Sequence, residues 1–99
     1  MIEKKLSPKG KSLKVTFKLP ATVAEESVAV VGDFNDWDAK KHPMKLSVKD
    51  GEWTRSISFK PGTAHEFRYF VDGRQWKNDE TADGYVGTEF LSQNCLLET

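Results

Sequence analysis

The chain of 99 residues has a single cysteine, no net charge and no long apolar run. A lone cysteine excludes a disulfide within the chain, and Cys95 lies in an apolar run that predicts a buried thiol. Equal numbers of acidic and basic residues argue against nucleic-acid binding, which usually needs a clustered positive excess. The apolar segments are too short to span a bilayer, and Met1–Lys5 lacks the apolar centre of a signal peptide. We therefore expect one cytoplasmic domain without a membrane partner.

Helical and catalytic patterns are also missing. No apolar periodicity of the helical kind persists for three turns anywhere in the chain. His42 and His65 lie far apart in sequence and the cysteine is expected to be buried, so no zinc-ligand spacing exists. There is no nucleophile triad, phosphate-binding glycine loop or nucleotide fingerprint. We therefore expect no metal, no cofactor and no enzymatic activity.

Alternation of apolar and polar residues predicts several short strands. It is clearest in residues 13–19, 44–48 and 53–59, and Asp50-Gly51 and Asp72-Gly73 are hairpin signals between such runs. This pattern predicts an all-β, antiparallel β-sandwich of about seven strands. The sandwich is expected to fill residues 12–99, behind a flexible lead-in at residues 1–11. A polar segment at residues 78–87 is expected to precede the last strand.

Two tryptophans lie where strand-like alternation stops. Val30–Trp37 and Glu66–Trp76 each begin as an apolar run and end in a polar turn that carries a tryptophan. An indole on a polar rim is a flat platform for a stacking ligand, and a sugar is the ligand that fits best. The alternative is structural, since a tryptophan in a turn can also cover a small core.

The other aromatic residues are expected in the core. Trp53 shares a strand face with Ile57 and Phe59, which favours core packing. Phe34 is expected to pack under the turn that carries Trp37. The strand positions assigned to the core by alternation are Phe17, Phe67 and Tyr69.

The acidic residues Asp33, Asp36 and Asp38 raise two further interpretations, both of which we disfavour. Glycosidases hold two carboxyl groups across a cleft, whereas acids in a solvated turn more often accept backbone N–H groups. The run resembles the opening of a calcium loop, but Trp37 takes the next ligand position and neither the loop glycine nor the closing glutamate follows.

The order and spacing of these motifs resemble a known family. The motifs are Val31–Trp37, Pro43-Met44, Trp53, Glu66–Gly73, and Trp76 followed by Asn78-Asp79. Over residues 12–98 the chain resembles carbohydrate-binding module family 48. That module is the N-terminal domain of glycogen branching enzymes and isoamylases, and the glycogen-binding domain of the AMP-activated protein kinase beta subunit. The resemblance implies an immunoglobulin-like early-set sandwich that binds α-1,4-glucan without catalysis.

The resemblance also implies a binding site. Trp37 and Trp76 match the family's two tryptophan platforms. Arg68 stands where kinase-type modules carry a basic residue, and Asn94 matches the asparagine that opens the last strand. Ser92 falls near a family threonine. The implied carbohydrate-binding residues are Trp37, Arg68, Trp76, Phe90, Ser92 and Asn94.

Residues 89–93 depart most from the family pattern. Phe90 falls where kinase-type modules place a leucine that reaches into the sugar, and Leu91 replaces the usual glycine. A pleated backbone sends neighbouring side chains to opposite faces. We therefore expect Phe90 to be exposed and to touch the ligand, with Leu91 in the core.

Three functions remain open at this stage. The first is binding of an α-glucan polysaccharide or a maltooligosaccharide by a non-catalytic module. The second is a protein-interaction module whose exposed aromatic residues dock on a glucan-metabolising enzyme. The third, an enzyme, is the least supported.

Overall fold

The computed structural model describes residues 1–88 and 92–99, and nine strands lie in these ranges. Two short 3₁₀ helices, Ala21–Val23 and Asp33–Asn35, flank the third strand. The strands are β1 (Ile2–Leu6), β2 (Leu13–Pro20), β3 (Val28–Gly32), β4 (Lys45–Ser47), β5 (Glu52–Phe59), β6 (Ala64–Val71), β7 (Gln75–Lys77), β8 (Gly84–Gly87) and β9 (Gln93–Glu98).

The strands form two antiparallel sheets. Sheet A has the order β1-β2-β5-β4, and sheet B has the order β3-β6-β9-β8. Strand β7 also pairs with β6, so the hairpin signalled by Asp72-Gly73 exists. The Asp50-Gly51 signal likewise joins β4 to β5, where the Gly51 N–H donates to the Ser47 carbonyl over 2.9 Å. The predicted all-β sandwich is therefore confirmed.

The core lies between the two sheets and follows the predicted alternation. The rings of Phe17 in sheet A and Phe67 in sheet B meet edge to face, with centroids 5.2 Å apart. Tyr69 contacts both rings and is fully buried. Trp53 and Cys95 are buried as expected, and burial is the main cause of the raised pKa of the Cys95 thiol. The core assignments made from alternation are thus confirmed.

The structure has two more strands than the seven expected, and apolar–polar alternation gives little signal for three of its strands. Ile2–Leu6 lies inside the expected flexible lead-in, yet β1 pairs with β2 along its full length. Strands β7 and β8 are short, and β8 lies within the segment interpreted as polar. All three carry few apolar residues, so alternation gives little signal.

Asp79 fastens the segment between β7 and β8 to the core. Its carboxylate is buried and accepts the Tyr69 hydroxyl at 2.6 Å and the Thr81 hydroxyl at 2.7 Å. Burial by itself raises the pKa of Asp79, but these hydrogen bonds outweigh it and the pKa lies below its ordinary value. The carboxylate is therefore held ionised against the core.

Among the residues that the structure describes, no helix is long and apolar enough to cross a membrane.

Candidate functional site

Five side chains of the described residues line a shallow cavity on the face of sheet B that points away from the core. The cavity has a volume of about 470 Å³, and its lining residues are Trp37, Arg68, Trp76, Thr88 and Asn94. Four of these were singled out from the sequence, and Thr88 was not. We call this surface the outer face of sheet B. A cavity of this size is in the range of small-molecule sites.

The turn that carries Trp37 begins at Gly32, at the end of β3. A side chain at Gly32 has no room, because a Cβ there would overlap the Glu66 carbonyl oxygen and lie 2.6 Å from the Phe34 ring. The Trp37 N–H donates to the Gly32 carbonyl over 2.9 Å. Asp36 and Trp37 both have positive φ, 57° and 58°, which residues other than glycine rarely adopt. This strained turn leaves the Trp37 side chain 40% exposed.

Asn35 fixes the same turn from inside. Its Oδ1 accepts the Gly32 N–H at 3.0 Å, which establishes the orientation of the amide group. Its Nδ2 donates to the Val30 carbonyl at 2.9 Å and lies 2.9 Å from Nδ1 of His42. Because Nδ2 can only donate, Nδ1 of His42 must accept, and the ring is neutral in this arrangement. The turn that exposes Trp37 thus depends on a buried amide and an unprotonated histidine.

The surroundings of His42 favour that neutral form. Burial lowers the pKa of His42 below its ordinary value, and the positive charges of Arg55 and Lys41 lower it further. The hydrogen bond that Asn35 donates is therefore available at neutral pH.

The hairpin between β6 and β7 sets the position of Trp76. Asp72 and Gly73 both have positive φ, 54° and 66°, as a type I′ turn requires. The Asp72 carboxylate accepts the backbone N–H groups of three residues, Glu26, Ser27 and Glu25, and these bonds lower its pKa. The register places Trp76 directly opposite Phe70, and the Trp76 side chain is 50% exposed.

A chain of hydrogen bonds joins the polar residues of the site. Arg68 donates from Nε to Oδ1 of Asn94 and from Nη2 to Oγ of Ser92, the latter over 2.8 Å. Asn94 donates from Nδ2 to Oε1 of Glu66 over 3.1 Å. The Ser92 and Thr88 hydroxyls lie 2.7 Å apart. Within the described residues, these bonds leave Nη1 of Arg68 available for a ligand.

Of the residues singled out from the sequence, the structure brings Trp37, Arg68, Trp76 and Asn94 together around the cavity. Ser92 does not line the cavity but holds the Arg68 guanidinium. Phe90 and Leu91 lie outside the described residues, so their expected orientations stay predictions. Gln75 and Lys77 flank Trp76 on β7 and so lie on the opposite side of that strand.

Thr88 was missed because no motif points to it. It follows β8, whose pairing with β9 brings it beside Ser92. A threonine after a polar segment belongs to no recognisable sequence motif. Only the pairing of β8 with β9, which the sequence predicts weakly, would have indicated that Thr88 lies at the site.

The acidic residues near Trp37 have structural contacts instead of a shared site. Asp33 accepts the Glu66 N–H at 3.0 Å and lies 3.2 Å from Nδ1 of His65. Asp38 accepts the Lys40 N–H at 2.9 Å. Among the described residues, no three His, Cys, Asp or Glu side chains are grouped so that they could hold a metal ion.

Residues 15–96 match the family described as the glycogen recognition site of AMP-activated protein kinase. The chain belongs to this family. The resemblance proposed from the sequence is thereby confirmed, and glucan recognition is the function of the class. The outer face of sheet B, with its two exposed indoles, is the candidate recognition site of this glycogen-recognition module.

Glucan branching enzymes also contain stretches similar to this chain. The "1,4-alpha-glucan branching enzyme GlgB" of Thiobacillus denitrificans is 39% identical over 66 residues, which are 65% of this chain and 8% of the enzyme. The enzyme of Nitrosococcus oceani is 46% identical over 43 residues, 42% of this chain and 6% of the enzyme. The enzyme of Xanthomonas axonopodis pv. citri is 45% identical over 42 residues, which are 41% of this chain and 6% of the enzyme. The aligned stretch is therefore at most 8% of the length of these relatives.

Proposed function

We propose that this module binds α-1,4-linked glucan on the outer face of sheet B, without catalysis. The observation that carries the proposal is the exposure of Trp37 and Trp76 beside Arg68 and Asn94 in one shallow cavity. Membership of a glycogen-recognition family supports glucan as the ligand class.

The two indoles supply the apolar part of recognition. A glucose ring presents a face of C–H bonds, which are apolar and slightly positive, and the electron-rich face of an indole complements it. By analogy with the stacking of bases on aromatic side chains, each platform contributes roughly 1–3 kcal/mol.

The polar residues bind the hydroxyl groups at the edge of the sugar. Among the described residues no group accepts a hydrogen bond from Nη1 of Arg68, while Nε and Nη2 are held by Asn94 and Ser92, so the guanidinium is already oriented. A pre-oriented donor loses less conformational entropy on binding than a flexible lysine would. Two platforms and a few exposed hydrogen bonds still make a weak site, with a Kd between about 10 µM and 1 mM.

The lining of the cavity argues against hydrolysis by this domain. Glycoside hydrolysis by the common mechanism needs a pair of carboxyl groups on either side of the bond. The described residues that line the cavity include no carboxylate, and Glu66 at its border already accepts a hydrogen bond from Asn94.

A second proposal is that the chain also docks on a glucan-metabolising enzyme. It is favoured by the similarity to a small part of three branching enzymes. Gel filtration of this chain with a branching enzyme tests it, and the absence of a complex at tens of micromolar would contradict it.

A cytoplasmic location, expected from the sequence, is tested by cell fractionation.

Affinity electrophoresis tests the main proposal. The domain should migrate more slowly in gels containing amylopectin, an α-glucan, and normally in gels containing hydroxyethylcellulose, a β-glucan. The Trp37→Ala/Trp76→Ala double variant should migrate normally in both. Equal retardation of the wild type in both gels would mean that the site does not distinguish the linkage.

A further inference from the structure

Trp76 lies on a strand that offers it little support. Strand β7 is three residues long, and all three are exposed. It pairs with the end of β6, and an isolated two-stranded hairpin is only marginally stable in water. An indole on such a strand needs another contact if its plane is to be fixed before a ligand arrives.

Phe70 provides that contact. It is directly opposite Trp76 in the β6–β7 register, and the two rings have centroids 4.5 Å apart with an interplanar angle of 39°. Aromatic pairs at this separation contribute a favourable interaction energy in addition to that of burying their apolar area. The neighbour of Phe70 on its other side, in β3, is Ala29, which has only a methyl group. The Phe70 ring is half-buried on the outer face of sheet B, where it can support the indole from one side.

We propose that Phe70 is a positioning residue for glucan binding: its ring holds the Trp76 indole in the orientation that stacks on the sugar. This inference rests on the proposed function of the site. A loose indole must lose its rotamer freedom when the glucan binds, and that ordering weakens binding. Replacing Phe70 by leucine should therefore raise the Kd by about three- to tenfold.

Indole mobility can be measured without any ligand. In ¹⁵N-labelled protein the three tryptophans give three indole N–H signals, which Trp37→Phe and Trp76→Phe variants assign. In Phe70→Leu, the heteronuclear NOE of the Trp76 indole should fall, whereas those of Trp37 and Trp53 should stay at wild-type values. Phe70→Tyr keeps the ring and should restore the Trp76 NOE.

The same variants are then titrated with maltoheptaose by calorimetry. Phe70→Leu should bind three- to tenfold more weakly than the wild type, and Phe70→Tyr should bind as the wild type does. The matched control is Leu96→Ala, which truncates another half-buried side chain of the outer face, on β9. It should change neither the Trp76 NOE nor the Kd by more than twofold.

Three results would overturn the inference. An unchanged Trp76 NOE in Phe70→Leu, with weaker binding, would mean that Phe70 contacts the sugar itself. A lower NOE with unchanged affinity would mean that the orientation of the indole does not matter. An equal loss of affinity in Leu96→Ala would assign the effect to general damage to the face. If the wild type binds no glucan, the proposed function fails, while the NOE still shows whether Phe70 holds Trp76.

Discussion

Replacing Trp76 by alanine removes a proposed sugar platform, and its contribution to the binding free energy can be estimated from the exposed area of the indole. An aromatic side chain buries roughly 150–250 Å² when fully covered, and Trp76 is 50% exposed. About 100 Å² is therefore open to a ligand, which at about 25 cal/mol per Å² sets a ceiling of about 2.5 kcal/mol. A sugar covers part of that area, so we expect the affinity to fall tenfold or more. This corresponds to a loss of binding free energy of about 1.4 kcal/mol or above. Trp37→Ala should behave alike, since its side chain is 40% exposed.

Both variants should keep nearly the wild-type stability, because a rim indole adds little to the core. Trp53→Ala is the matched control, since Trp53 is only 7% exposed and packs in the core. It should destabilise the fold by roughly 3–5 kcal/mol. The assay is maltoheptaose affinity by calorimetry together with urea unfolding of each variant. The reasoning is refuted if Trp37→Ala or Trp76→Ala unfolds the domain while Trp53→Ala stays folded and loses only ligand.

Three further changes test the supports of the site and the core. Gly32→Ala should lower the free energy of unfolding by about 1–3 kcal/mol, measured with urea, and should also weaken glucan binding. The reason is that the added Cβ overlaps the backbone of β6 and displaces the Trp37 turn. Wild-type stability and affinity in this variant would contradict this. Because the pKa of His42 is lowered in the folded state, the unfolded chain takes up the proton first, so stability should fall as pH drops below about 6.5 until the folded pKa is passed. His42→Gln, which keeps an acceptor but does not titrate, should remove this part of the curve. Tyr69→Phe should cost about 1–3 kcal/mol by thermal or urea unfolding, because the buried Asp79 carboxylate loses a hydrogen bond, and an unchanged midpoint would contradict that role.

Core positions and exposed tryptophans could be predicted from the sequence because each follows a local rule. Trp53 lies on the same strand face as Ile57 and Phe59 and is buried, whereas Trp37 and Trp76 stand where alternation ends and are exposed. Side chains on opposite faces of a strand differ in polarity whenever one face is buried, and a single sequence shows that difference directly.

Supporting residues could not be predicted, because their roles depend on contacts between distant segments. Strand β1 is Lys-rich and lies at a sheet edge, where charged residues are common, so the segment resembles a flexible lead-in. Asn35 is an ordinary turn residue in sequence, yet it is buried and fixes the Trp37 turn. Thr88 enters the site only through the pairing of β8 with β9.

Titration of the wild-type domain with maltoheptaose, followed by tryptophan fluorescence, tests the central claim most directly. Stacking of a sugar on Trp37 and Trp76 should give a saturable change with a Kd between about 10 µM and 1 mM. The change should be absent from the Trp37→Ala/Trp76→Ala variant and absent when a β-1,4-linked cello-oligosaccharide of similar length replaces the maltoheptaose. A wild-type domain that shows no saturable change, or that responds equally to both sugars, would contradict α-glucan binding at this face.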